Sequence, residues 1–94
     1  MFDIKDDGDG TIRLSGRLDA AEVENVRAVF DRITQSAVID FDALDYISSA
    51  GLGVLLSTQK RLGAKNESLK LINMNRHIRE IFRIAGFDRI FGIE

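Results

Sequence analysis

The run Ala37-Val38-Ile39-Asp40-Phe41 lies between two stretches of helical periodicity, and that placement limits the fold more than any other feature of the chain. It is short and β-branched, which suits a strand in the middle of a sheet. Before it, Val23, Val26, Phe30 and Ile33 recur at intervals of 3, 4 and 3, with Glu22, Glu24, Arg27, Asp31 and Arg32 around the other side, the pattern of an amphipathic helix. After it, Leu52, Leu55, Leu56 and Leu62 share one helical face. A strand entered from one helix and left through another implies a parallel crossover, and such units are almost always right-handed.

The other elements follow in order. Phe2 and Ile4 alternate with Asp3 and Lys5, and Ile12 and Leu14 alternate with Arg13 and Ser15, across Asp7-Gly8-Asp9-Gly10. Alternation on both sides of a Gly-rich turn predicts a hairpin. The acidic turn does not fit a calcium loop, because Lys5 and Thr11 interrupt the required series of oxygen ligands, and residues 6–10 read as a solvated turn. Asp19-Ala20-Ala21-Glu22 has the form of a capping box, in which Asp19 accepts from the first-turn amides and Glu22 reaches back. A strand then ends near Phe41, an acidic loop carries Asp42 and Asp45, and a helix runs from about Ser49 to Leu62, with Gly63 as its left-handed cap. Residues 68–72 read as the next strand. Asn75 caps a third helix bearing Ile78, Ile81, Phe82 and Ala85, which Gly86 closes. Ile90, Phe91 and Ile93 form an apolar tail, either an edge strand or a segment laid over the core. The expected fold is α/β: one domain over residues 1–94, with a mixed sheet of about four to five strands, an N-terminal antiparallel hairpin followed by parallel β-α units, packed with three main helices.

Charge and composition exclude several functions. A net charge of -2 gives no electrostatic footprint for nucleic acid. With 45% hydrophobic and 30% charged residues among 94, the chain reads as an ordinary globular domain with room for one core. No run approaches the ~20 apolar residues of a membrane span, so no direct membrane insertion is expected. Asp3, Asp6 and Asp7 stand where a secretory signal would be basic and then apolar, and the expected location is cytoplasmic. Without cysteine there is neither a disulfide framework nor a thiolate metal site.

The chemistry-bearing residues gather before the second helix. Ser48 and Ser49 precede Ala50, Gly51 and Gly53. One serine is expected to cap the helix, since Ser accepts well from first-turn amides. Two glycines in one helical turn cost roughly 1 kcal/mol each, which implies that a neighbouring strand or a partner comes close to the backbone there. An enzyme is not expected. The only histidine, His77, falls in the first turn of the third helix with no second group marked to orient it, and Asp40, Asp42 and Asp45 lack a further ligand or proton donor. Gly51-Leu52-Gly53 is a weak nucleotide signal, because the further glycines or Lys-Ser/Thr of phosphate-binding loops are missing. No cofactor or metal is expected.

The run Y-I-S-S-A-G-L-G-V-L-L at residues 46–56 resembles the signature of STAS domains, the fold of bacterial anti-sigma factor antagonists. L-S-G-R-L-D at residues 14–19 is similar to that family's second strand and the turn into its first helix, and I-R-E-I-F-R-I-A-G-F-D-R-I-F at residues 78–91 to its closing helix and final segment. The resemblance implies partner switching. An unphosphorylated antagonist binds an anti-sigma factor that is also a serine kinase, is released when its serine is phosphorylated, and is reset by a metal-dependent serine phosphatase. Carried over by position, the modified serine is Ser49, with Ser48, where the best-known antagonists have Asp, as second choice. Asp19, Asp42, Asp45, Ser48, Ser49, Ala50, Gly51 and Gly53 form the implied partner-binding surface. The family also implies an alternative, a constitutive subunit of a larger assembly such as a lipid-transporting ABC system.

Overall fold

The computed structural model describes residues 1–94. Strands β1 (Phe2–Asp6) and β2 (Thr11–Leu18) form the expected antiparallel hairpin, with Ile4 opposite Leu14. Its turn uses its own carboxylates: Asp6 Oδ1 accepts from the Gly8 amide at 2.9 Å, and Asp9 Oδ1 from the Thr11 amide at 3.0 Å. At Gly16 the backbone is left-handed (φ 82°) and a Cβ would lie 1.6 Å from the Met1 carbonyl oxygen, so the β1–β2 pairing tolerates only glycine there.

Asp19 caps the next element as expected, accepting from the Ala21 amide at 3.1 Å. The reciprocal half of the capping box does not form. A 3₁₀ turn (Ala20–Glu22) precedes helix α1 (Val23–Phe30), which places Glu22 at their junction, where its Oε1 accepts from Asn25 Nδ2 at 3.0 Å. Helix α1 also stops before Ile33, which is buried from the loop that follows. The two carbonyls exposed by that early stop, those of Phe30 and Ile33, accept from Arg61 at 2.9 and 2.7 Å.

The acidic loop expected at residues 42–47 is strand. β3 spans Ala37–Ile47, and its upper part pairs in parallel with β2 as far as Leu18 opposite Ile47. Arg13 faces Asp40 but Ser15 faces Ala43, and Gly16 faces Leu44 but Arg17 faces Tyr46, so β3 carries an extra residue at each of two bulges. The bulges break the two-residue alternation by which a strand is read from sequence. Asp40 stands at the first of them. Its carboxylate is buried and accepts from the Asp42 amide at 2.9 Å, from Asn73 Nδ2 at 3.1 Å and from Arg13 Nη1 at 3.3 Å. This is the hydrogen bonding that a buried strand carboxylate requires. Arg13 also donates through Nε to Asp7 at 2.7 Å, and that pairing raises the guanidinium pKa.

Helix α2 (Ser49–Gly63), strand β4 (Leu69–Ile72), helix α3 (Arg76–Ile84), a 3₁₀ turn (Phe87–Arg89) and strand β5 (Gly92–Ile93) complete the chain. Asn75 caps α3 through the Ile78 amide at 2.8 Å, and Gly86 beyond it is left-handed (φ 77°). Gly63 stays inside α2; the left-handed residue is Asn66 (φ 61°), where a side-chain amide tolerates that conformation, and the Glu67 amide donates back to the Leu62 carbonyl at 3.0 Å. The buried face of α2 is Gly51, Val54, Leu55, Thr58 and Leu62, with Leu52 and Leu56 at its margin. The apolar tail does both things expected of it. Phe91 is buried, and Gly92–Ile93 pairs in parallel with β4.

The sheet order is β1-β2-β3-β4-β5, antiparallel only between β1 and β2. Three successive crossovers step in one direction across the sheet, and all three helices pack on one face of it. Ile12, Leu14, Ile39, Leu69 and Leu71 of the sheet meet Val26, Phe30, Leu55, Leu62, Ile78 and Phe82 of the helices in a single core. On the opposite face Lys5, Arg13 and Asp40 lie side by side in register and meet solvent, apart from the buried Asp40.

Candidate functional site

The junction between β3 and α2 assigns the two serines different surroundings. Ser48 is extended (φ -84°, ψ 165°), partly buried and fixed on both sides: its amide donates to the Leu18 carbonyl at 2.8 Å, and its Oγ accepts from the Gly51 amide at 3.1 Å. It is the N-cap. Ser49 is the first residue of α2 and is exposed, as is Ala50. Around Ser49 the first-turn amides and the positive end of the helix dipole favour a negatively charged group, and no acidic side chain occupies that turn.

The two glycines separate in the same way. Gly51 is buried, and a Cβ there would lie 2.9 Å from Leu18 Cγ and 3.1 Å from Ile47 Cγ1, so its close approach is to the fold's own strands. Gly53 faces outward with nothing within 4 Å of a Cβ position. Packing explains the first glycine and leaves the second without an intramolecular cause.

Of the carboxylates that the resemblance assigns to the partner-binding surface, Asp42 shares a cleft with Asp3, Lys5, Arg13 and Asp40 on the open face of the sheet. Asp19 follows Leu18 at the end of β2, and Asp42 and Asp45 are exposed on the bulged part of β3 with no ion-pair partner. Asp40, grouped with them by sequence, is held lower on the sheet among Arg13, Asn73 and the Asp42 amide, as a structural residue. Arg17 and Tyr46 were not singled out by sequence reasoning. They face one another only because of the second bulge, with the Arg17 guanidinium carbon 4.3 Å from the Tyr46 ring centre. His77 is exposed on the first turn of α3. The start of that helix is tied to β3 by Asn75 Nδ2, which donates to the Leu44 carbonyl at 3.2 Å. No three His, Cys, Asp or Glu side chains converge as a metal site, and no helix is long and apolar enough to cross a membrane.

The family model described as "Mlab, STAS domain" matches residues 2–93. The chain is a STAS domain. BtrV of Bordetella bronchiseptica, which carries the name of an anti-sigma factor antagonist, is 38% identical to it over 84 residues, covering 85% of this STAS domain and 72% of BtrV. Among solved structures, an anti-sigma factor antagonist from Mycobacterium paratuberculosis superposes on the STAS domain with a TM-score of 0.82 at 22% identity, over 99% of this chain and 83% of that one. The phosphorylated form of the Bacillus cell fate determinant SpoIIAA superposes with a TM-score of 0.72 at 22% identity, over 100% and 91% of the respective chains. At those identities the two structures speak to the fold alone.

Proposed function

We propose that this STAS domain is an anti-sigma factor antagonist whose binding is switched by phosphorylation of Ser49. The observation that carries the reading is the division of labour at the start of α2: Ser48 Oγ is engaged by the Gly51 amide, whereas the Ser49 side chain is exposed on the same turn. Ser48 is the second choice, because modifying its oxygen would remove the cap. The name of BtrV supports the regulatory, non-enzymatic part of the reading.

In this scheme the unmodified surface of Asp19, Asp42, Asp45, Ser48, Ser49, Ala50 and Gly53 is packed by an anti-sigma factor with serine kinase activity, while Gly51 supports it from beneath. The open space over Gly53 accommodates close approach of that partner. A phosphate on Ser49 adds about -1.5 to -2 charge units to the surface that the partner packs. The fold tolerates that charge, since first-turn amides and the helix dipole offset it. The partner does not, because a desolvated charge without a counter-ion costs several kcal/mol. Binding is lost while the fold is kept, and a metal-dependent serine phosphatase restores the first state.

The test is capture from lysate of the source organism with three baits, wild type, Ser49→Ala and Ser49→Asp, read by mass spectrometry. Recovery of a kinase-type anti-sigma factor by the first two and not by Ser49→Asp supports the switch. Equal recovery of one partner by all three would mark a constitutive subunit instead.

A further inference from the structure

We propose that β1 is a self-complementary edge through which two copies of this chain pair, antiparallel about Ile4, into one continuous sheet. β1 is the outer strand of the sheet and pairs only with β2. The ladder to β2 is bounded by the Asp7 amide on the Thr11 carbonyl at 3.0 Å and the Arg17 amide on the Met1 carbonyl at 3.3 Å. In an antiparallel ladder the bonded pairs recur at every second residue, so Asp3 and Lys5 turn their backbone groups toward β2. Phe2, Ile4 and Asp6 therefore turn theirs outward, unpaired.

A two-fold axis through Ile4 matches that parity. It sets Ile4 opposite Ile4 and Phe2 opposite Asp6 of the second copy as the hydrogen-bonded pairs, using every outward-facing group of the strand. Asp3 then falls opposite Lys5 of the second copy, twice over, at the closer non-hydrogen-bonded positions. Within one chain neither of these side chains has an ion-pair partner, and Lys5 stands directly opposite Arg13, a like charge already committed to Asp7 and Asp40. On the other face, the half-buried Ile4 would gain cover from Ile4 of the second copy, with each half-buried Phe2 diagonal to it. A charged side chain on an edge strand ordinarily discourages pairing. In the sequence Phe2-Asp3-Ile4-Lys5-Asp6 the two signs are placed so that a second copy satisfies them. Pairing here leaves β3 and the start of α2, two strands away, uncovered on both copies.

Sedimentation equilibrium across a concentration series tests the pairing, with wild type, Lys5→Asp and the double variant Asp3→Lys/Lys5→Asp. Both positions of change are exposed, and circular dichroism checks that each variant is folded. Wild type is expected to dimerise reversibly. Lys5→Asp opposes four carboxylates and should raise the dissociation constant by about tenfold or more, and the charge-swapped double variant should restore it. A wild type that stays monomeric throughout, a Lys5→Asp protein that dimerises as well as wild type, or a double variant that does not recover would each overturn the proposal.

Discussion

At the scale of single residues, adjacent positions of like chemistry have opposite jobs. Ser48→Ala removes a side-chain cap and should cost about 1 kcal/mol, whereas Ser49→Asp places a carboxylate in the first helical turn and should leave stability unchanged or raise it by up to about 1 kcal/mol. Urea denaturation of both variants checks this. The reverse order, with Ser49→Asp the more damaging, would contradict the assignment of Ser48 as the cap. The glycines invite a parallel comparison. Gly51→Val drives atoms into Leu18 and Ile47 and should destabilise by about 1–3 kcal/mol. Gly53→Ala meets open space and should stabilise by about 0.5–1 kcal/mol. Thermal melts separate the two, and a drop in partner affinity for the stabler Gly53→Ala protein would locate the partner over that residue. Much of this pairing was legible in the order Ser-Ser-Ala-Gly-Leu-Gly. Which serine and which glycine faced inward was not, because that depends on the angle at which α2 leaves β3.

At the scale of elements, helix starts were read more reliably than helix or strand ends, as the displacement of the left-handed residue of α2 from Gly63 to Asn66 shows. Asp19 and Asn75 cap where their side-chain chemistry predicts, since capping is decided within three or four residues. The length of β3 was misread because its upper half is held by pairing with β2 across two bulges, a non-local cause that no alternation in residues 42–47 betrays. The end of α1 has a non-local cause as well. Arg61, far along the chain on α2, donates to the carbonyls of Phe30 and Ile33, joining the two helices at that end. Arg61→Ala should lower stability by about 1–3 kcal/mol, the range for charged hydrogen bonds to carbonyls left partly buried. Amide exchange of α1 should quicken with it, and an unchanged exchange pattern would mean that the helix end is held by packing alone.

At the scale of the whole molecule, a sheet with helices on one face has only one apolar interior, and its far corner is closed by rings. Phe82 stands edge-on to Phe41, Phe87 and Phe91 at 6.0, 6.1 and 5.9 Å between ring centres, linking α3 and the C-terminal segment to β3. Phe82→Ala should cost about 3–5 kcal/mol, a large part of the roughly 5–15 kcal/mol typical of a domain. Equilibrium unfolding would show it, and a loss below about 1 kcal/mol would mean that the corner collapses to refill the space. The class of fold, the hairpin, the N-caps and the helix start bearing the serines were determined by the sequence itself, because periodicity, turn chemistry and capping act over a few neighbouring residues. The two bulges, the stacking of Arg17 on Tyr46, the burial of Asp40 and the separation of Ser48 from Ser49 were decided only by tertiary structure. Each depends on which residue of a distant strand arrives opposite, and that is settled by the packing of the whole core.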